Sequence, residues 1–123
     1  MSEGNKDLIR RFYKTVWDQG DLAAIDHLFA NDFVNHDPDR GEAPDREAFK
    51  RYVEYARRTA DYRPTIEDLI AEEDKVVARL TGRGRVKRKF LGITLVDRKI
   101  TQPGIVIWRV SGGKIVERWA RWA

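Results

Sequence analysis

A change in the spacing of apolar residues near residue 62 most constrains how this chain can fold. Before that point apolar side chains recur every three or four residues, which is typical of amphipathic helices. Beyond it they alternate with polar ones, which is typical of strands with one buried face. The candidate strands are 63–72, 75–89, 97–110 and 114–122. Helices followed by long strands predict an α+β fold, with helices packed on one side of an antiparallel sheet.

The part before residue 62 contains three helical patterns and one short strand. Residues 6–19 carry a broad apolar face, and Gly20 ends this helix while Asp21 caps the second one. A strand is predicted at 32–36, and Asp45 can cap the third helix.

Glycines indicate where the predicted sheet turns and bends. Ser111, Gly112 and Gly113 predict a tight hairpin. Three further glycines, at 82, 84 and 104, fall inside predicted strands, where glycine typically marks a bulge or a sharp bend. A sheet that bends strongly closes around a cavity, so we expect a pocket between sheet and helices.

Composition excludes several classes of protein. A length of 123 residues suits a single domain, 1–123. The absence of cysteine excludes a disulfide scaffold, a thiolate nucleophile and cysteine-ligated metal. The N-terminus has no apolar signal region, and no apolar run is long enough to span a bilayer. We therefore expect a cytoplasmic protein without membrane partners.

Charge is distributed unevenly along the chain. Residues 1–74 carry 11 Lys or Arg against 18 Asp or Glu, a net of −7, and residues 75–123 carry 13 against 2, a net of +11, which sum to +4. The two halves should attract each other, either within one chain or across a dimer.

One predicted strand face is strongly basic. It reads Arg79, Thr81, Arg83, Arg85, Lys87, Lys89. Such a face could bind a polyanion or an anionic substrate, but a solvated outer sheet face is the more common arrangement. No aromatic residue alternates with these charges to stack on bases, which argues against a nucleic-acid partner.

A polar triplet, Asn35-His36-Asp37, ends the first strand just before Pro38. It could be a simple turn whose side chains satisfy backbone groups, or a reactive site beside the pocket. On a regular strand Asn35 and Asp37 share one face and His36 points to the other. In an apolar pocket, desolvation would raise the pKa of Asp37 and make it a better general base.

Motifs along nearly the whole chain resemble the SnoaL-like (polyketide cyclase-like) family of the nuclear transport factor two-like superfamily. They are Phe12-Tyr13, Gly20-Asp21-Leu22, Leu28-Phe29, Asn31-Asp32, Asn35 to Pro38, Asp45 to Arg58, Phe90 to Ile93, Gly104 to Val110, and Gly113 to Glu117 with Trp119. The resemblance implies a cone-shaped domain in which a curved antiparallel sheet wraps around N-terminal helices and encloses an apolar pocket. It also implies a homodimer.

Two positions also match ketosteroid isomerase, a relative on the same fold. Tyr13 corresponds in position to the tyrosine that stabilises the oxyanion in that enzyme, and Asp37 corresponds to its general base. The second oxyanion acid of that enzyme falls near Val106 here, and the stretch Trp119 to Ala123 lacks the late-strand aspartate of the polyketide cyclases. The resemblance therefore carries over only part of the catalytic set.

From residues and resemblance together we predict a cofactor-free enzyme of the isomerase, cyclase or hydrolase type, acting by general acid/base catalysis on an apolar carbonyl-bearing or polycyclic small molecule. The predicted catalytic residues are Asp37 and Tyr13. The predicted ligand-binding residues are Asn35, His36, Trp17, Gln102, Val106, Trp108 and Trp119. The aromatic residues among them, Tyr13, Trp17, Trp108 and Trp119, could instead pack in the core, and for Trp17 core packing is the favoured interpretation. The alternatives are a pocket that binds a small ligand without chemistry and a dimeric interaction domain. No metal site is expected, because the only histidines, His27 and His36, lack ligand spacing.

Overall fold

A computed structural model describes residues 2–38 and 41–123, with side chains outside residues 2, 87–90 and 94–96. Helix α1 widens into a π-helical segment, and a 3₁₀ turn precedes the short α2. The elements are α1 (Ser2–Phe12), the π-helical segment (Tyr13–Asp18), the 3₁₀ turn (Leu22–Ala24), α2 (Ile25–Leu28), β1 (Phe29–Asn35), α3 (Arg46–Ala60), β2 (Arg63–Glu72), β3 (Lys75–Phe90), β4 (Ile93–Ser111) and β5 (Lys114–Trp122).

The strands form one curved sheet with the order β1-β5-β4-β3-β2. The four later strands pair antiparallel, as predicted. Strand β1 instead runs parallel to β5, with Phe29 opposite Ile115 and Asn35 opposite Arg118. The sheet is therefore mixed, because β1 and β5 are not joined by a hairpin but by α3 and three intervening strands.

Local sequence signals account for most element ends. The bounds of β2 and β5 are those predicted, whereas β1 begins three residues earlier, at Phe29. The Asp45 carboxylate accepts a hydrogen bond from the Ala48 N–H at 2.9 Å and so caps α3, as expected. Asp21 makes no side-chain capping bond, so that expectation was wrong. The chain enters α2 through a 3₁₀ turn, which tightens the backbone before the helix.

The strand glycines make room for aromatic rings. A Cβ on Gly82 would lie 1.7 Å from Tyr62 Oη, and one on Gly104 would lie 2.2 Å from Trp122 Cε3. The register shifts of the sheet fall elsewhere, between Arg109 and Val110 for example. Of the two predicted alternatives, a bulge or a sharp bend, the bulge was therefore wrong, and close packing against Tyr62 and Trp122 requires glycine at 82 and 104.

Aromatic side chains dominate the core, which lies between the helices and the inner face of the sheet. Phe12, Phe29, Phe49 and Trp108 contact one another with ring centroids 5.1–6.1 Å apart, in mostly edge-to-face pairs. Each is at most 2% exposed. These rings belong to one cluster of buried hydrophobic residues.

Ion pairs link the acidic and basic halves within the chain. Arg79 lies 2.7 Å from Asp68, and Arg121 lies 2.7 Å from Asp37. Arg79, Arg83 and Arg85 of the basic face are exposed to solvent, as the outer-face interpretation requires. Lys87 and Lys89 of that prediction lie outside the described side chains.

Within residues 2–38 and 41–123, no helix is long and apolar enough to cross a bilayer.

Candidate functional site

The candidate site is a cavity of about 200 Å³ between α3, the end of β1 and the inner face of β4 and β5. Polar and aromatic side chains line it: Asn35, Asp37, Tyr52, Gln102, Arg118, Ala120 and Trp122. A larger hollow of about 480 Å³ lies on the outer face of the sheet, beside Ile105, Ile107 and Trp119. We place the site at the smaller cavity because a carboxylate and a guanidinium both face it. Its polar lining differs from the apolar pocket that the sequence led us to expect.

Asp37 is held at the edge of β5 by two hydrogen bonds. Its Oδ2 accepts from the Ala120 N–H at 2.7 Å and its Oδ1 from Arg121 Nη1 at 2.7 Å. Burial by itself would raise the pKa of Asp37, but these two bonds and the charges of Arg121 and Arg118 outweigh it and lower the pKa. The expected rise was therefore wrong: the carboxyl group is ionised at neutral pH.

Asn35 links the Asp37 turn to the guanidinium of Arg118. The Asn35 side chain is buried, and its Oδ1 accepts from the Asp37 N–H at 3.1 Å and from Arg118 Nη1 at 3.1 Å. The parallel register of β1 and β5 places Asn35 and Arg118 side by side. One amide oxygen thus positions both charged groups of the cavity.

Arg118 is the functional candidate that the sequence interpretation missed. It is only 5% exposed, and its guanidinium carbon lies 5.3 Å from the centre of the Phe49 ring and 5.8 Å from that of Trp108. Its Nη1 also donates to the backbone oxygen of Asp37 at 3.3 Å. Alternation counted back from Ala120 and Trp122 points to an inward-facing arginine, but alternation counted forward from the buried Ile115 points to the opposite face.

Gln102 lines the cavity with its orientation set by a neighbouring tyrosine. The Tyr62 hydroxyl donates to Gln102 Oε1 at 3.0 Å. Burial raises the pKa of Tyr62, so this hydroxyl stays protonated. Because the amide oxygen is occupied, the amide nitrogen of Gln102 is the group that can donate to a ligand.

Tyr13 lies in the core and is not part of the cavity lining. Its hydroxyl accepts a hydrogen bond from Trp108 Nε1 at 3.2 Å, and burial raises its pKa. Trp17, Val106 and Trp108 are likewise buried, and Trp17 packs against Tyr52 and Tyr62. Of the predicted site residues, the structure brings Asn35, Asp37 and Gln102 together at the cavity, while these four support it from behind.

His36 and Trp119 lie on the other side of the sheet. Their rings stack with centroids 4.7 Å apart and an interplanar angle of 7°. His36 Nε2 is 2.7 Å from Glu117 Oε2, and hydrogen bonds from His36 and Arg109 lower the pKa of Glu117. His36 and Asn35 therefore point to opposite faces of the sheet, as strand alternation predicted. The rings of His36 and Trp119 consequently lie away from the cavity.

Among the described residues, no group of three or more His, Cys, Asp or Glu side chains is arranged to hold a metal ion.

Solved structures with the same fold come from several bacteria. TsrD of Streptomyces laurentii superposes with a TM-score of 0.80 at 25% identity, covering 98% of this chain and 88% of that one. IdmH of Streptomyces antibioticus, a candidate polyketide cyclase, superposes with a TM-score of 0.80 at 28% sequence identity, and the match covers 96% of this chain and 91% of that one. A candidate polyketide cyclase of Bacillus cereus superposes with a TM-score of 0.79 at 30% sequence identity, and the match covers 97% of this chain and 74% of that one. The shared architecture is the nuclear transport factor two-like cone.

No curated protein gives a significant match to the sequence. The family comparison is decisive, because the match to SnoaL-like polyketide cyclases extends over residues 7–122, almost the full length. The chain belongs to the SnoaL-like polyketide cyclase family.

Proposed function

We propose that this protein is a small cofactor-free enzyme of the cyclase type that removes a proton from a carbon next to a carbonyl group. One observation carries the proposal: an ionised carboxylate, Asp37, and a buried guanidinium, Arg118, line the same cavity. A base beside a fixed positive charge is what formation of an enolate requires. Family membership supports cyclase-type chemistry in general.

In this proposal Asp37 accepts the proton as the carbon–hydrogen bond breaks. Each carboxylate oxygen has a second lone-pair direction beyond the bonds to Ala120 and Arg121, so it can still accept a proton. The electron pair moves onto the carbonyl oxygen, where Arg118 stabilises the developing charge. The enolate carbon can then attack a second carbonyl of the same molecule, and the new alkoxide takes the proton back from Asp37.

The neighbouring amides position the reacting groups. Asn35 holds Arg118 Nη1 and the Asp37 backbone on one oxygen, and the Gln102 amide nitrogen can donate to a substrate oxygen. A preorganised donor to a developing oxyanion typically contributes about 3–4 kcal/mol to transition-state stabilisation. Tyr13 contributes by holding Trp108, on which the Arg118 guanidinium lies.

The test is proton exchange in deuterated water, followed by NMR on a panel of small 1,3-dicarbonyl compounds. Wild-type protein should accelerate exchange at the carbon between the carbonyls, and Asp37→Asn should reduce the acceleration at least about 100-fold, as expected for loss of a general base. Asp26→Asn is the matched control, because Asp26 is also ion-paired, with Lys50 at 2.8 Å, but lies away from the cavity. Equal exchange rates in Asp37→Asn and wild type would refute the assignment.

A second candidate function is ligand binding without chemistry. The observation that favours it is the occupation of both Asp37 oxygens by protein donors, which lowers the basicity of the carboxylate. In that case wild-type protein would bind the dicarbonyl compounds without accelerating exchange. Asp37→Asn would then leave their affinity nearly unchanged.

We also propose that the outer face of the sheet joins two copies of the chain. Ile105 is half exposed there, beside Trp119 and the basic side chain of Arg121. Ile105→Glu should shift a dimer to monomer in sedimentation experiments, with Tyr55→Glu, at an exposed aromatic position on α3, as the control. A wild-type protein that sediments as a monomer would refute this arrangement.

A further inference from the structure

Arg118 is buried and, within the part of the chain that the structure describes, forms no salt bridge with an acidic side chain. Among the described residues, its hydrogen bonds go to two neutral oxygens, Asn35 Oδ1 and the backbone oxygen of Asp37. The Asp37 carboxylate forms its ion pair with Arg121 instead. Buried charges in proteins are normally paired, because desolvating an ion without compensation costs several kcal/mol. A buried guanidinium that faces a cavity therefore suggests that its anionic partner is a ligand.

Among the described residues, the hydrogen bonds of Arg118 use only one nitrogen of its guanidinium. Both bonds come from Nη1, so the N–H groups of Nε and Nη2 have no acceptor among the described residues. Arg118 lines the cavity, so a ligand held there can reach its guanidinium. Nε and Nη2 form the side of the planar fork that matches the two oxygens of a carboxylate.

Cavity size limits what can occupy this position. Its volume of about 200 Å³ is below the roughly 300–1,000 Å³ typical of pockets for drug-sized ligands. A polycyclic molecule would therefore not fit inside it without a change of shape. Tyr52 and Trp122 supply aromatic walls beside the polar groups, which suits a ligand with one flat apolar part.

We propose that the cavity binds a small organic carboxylate, with both carboxylate oxygens on the Nε–Nη2 edge of Arg118 and a ring or short carbon chain against Tyr52 and Trp122. The negative charge of Asp37 does not prevent this, because Arg121 forms an ion pair with it at 2.7 Å. The inference names the ligand class of the proposed enzyme site and rests on that cavity being its binding site.

Benzoate and benzamide make a sharp test, because they have the same shape and differ in charge. Binding is measured by calorimetry and by protein NMR shifts. Wild-type protein should bind benzoate at least about tenfold more tightly than benzamide, the minimum expected for a charge-assisted bidentate contact. Equal affinities, or no binding of benzoate, would overturn the proposal.

Two variants test the role of Arg118 in different ways. Arg118→Met removes the charge while keeping much of the side-chain volume. Asn35→Asp keeps Arg118 but places a carboxylate oxygen at the position of Asn35 Oδ1, 3.1 Å from Nη1, so the guanidinium gains an internal partner. Both should abolish the preference for benzoate in protein whose circular dichroism is unchanged. Arg79→Gln, at an exposed ion-paired arginine of the outer face, should leave it intact. Retention of the preference in Arg118→Met would overturn the proposal.

Asp37→Asn separates this inference from the catalytic proposal. The variant removes a negative charge from the cavity wall, so it should bind benzoate at least as tightly as wild type while losing proton exchange. Benzoate binding without exchange in wild-type protein would refute the catalytic proposal alone. Exchange without selective benzoate binding would refute the carboxylate inference alone.

Discussion

Tyr13→Phe distinguishes the role that the family resemblance implies for Tyr13 from the role that its contacts indicate. The resemblance to ketosteroid isomerase predicts an oxyanion donor. In the structure the hydroxyl accepts from Trp108 Nε1 at 3.2 Å, inside a core where Tyr13 is 4% and Trp108 1% exposed. We therefore expect the substitution to reduce stability much more than activity.

The expected loss of stability follows from the Trp108 N–H donor that is left without an acceptor. Phenylalanine fills almost the same space, so packing is largely kept, but the indole N–H of Trp108 loses its acceptor in a dry site. An unsatisfied buried donor costs about 1–3 kcal/mol. For a domain of this length each kcal/mol lowers the melting temperature by roughly 3–5 °C. The melting temperature of Tyr13→Phe should therefore fall by about 3–15 °C.

The assay combines thermal unfolding with proton exchange on the same preparations. Tyr55→Phe is the matched control, since this side chain is 59% exposed on α3 and loses no buried partner, so it should melt like wild type. Exchange by Tyr13→Phe at 25 °C should stay within about threefold of wild type. An unchanged melting temperature with exchange reduced 100-fold, the size expected for an oxyanion donor, would refute this reasoning.

Three further predictions concern charge and packing around the cavity. Arg121→Ala should raise the pKa of Asp37 towards its ordinary value, because an ion pair that favours the ionised form is lost. Titration of the carboxyl group by NMR measures this pKa, and an unchanged value would contradict the prediction. Gly104→Ala should force the Trp122 ring to move and destabilise the fold by about 1–3 kcal/mol in urea, whereas unchanged stability would show that Trp122 is not fixed there. The folded-state pKa values of Asp37 and Glu117 are lowered, so their stabilisation is present above the unfolded values near 4 and lost as pH falls through the folded ones. Urea unfolding at pH 7, 4.5 and 3 should show stability declining mainly below about pH 4, and a decline already complete at pH 4.5 would be inconsistent with the lowered values.

Strand positions could be predicted because alternation is a local property of the sequence. The bounds 63–72 and 114–122 agree with the structure to the residue. Parallel pairing of β1 with β5 could not be read in this way, since no turn joins the two strands and their register depends on packing. The acidic and basic halves were a useful global signal, and pairs such as Arg79 with Asp68 show that they attract within the chain.

Residues of the site were harder to predict than the fold, and Arg118 shows why. The register of β4 with β5 shifts between Arg109 and Val110, so simple alternation from Ile115 would place Arg118 on the outer face. The pKa direction of Asp37 depends on Ala120 and Arg121, which lie more than 80 positions away in the sequence. Hydrogen bonds at such separations leave no local pattern to read.

In the proposed function, the balance between Asp37 and Arg118 decides how the cavity would promote proton removal. A carboxylate with a lowered pKa is a weak base, so little of the driving force for proton removal can come from it. In the proposed reaction the remainder must come from making the substrate more acidic, which the buried guanidinium of Arg118 would do by stabilising the enolate. By the resemblance to ketosteroid isomerase, the late-strand acidic oxyanion donor of that enzyme falls near Val106 here, whereas the cavity carries the Arg118 cation on β5. The missing late-strand acids therefore do not exclude enolate chemistry, because the positive charge of Arg118 can serve in their place.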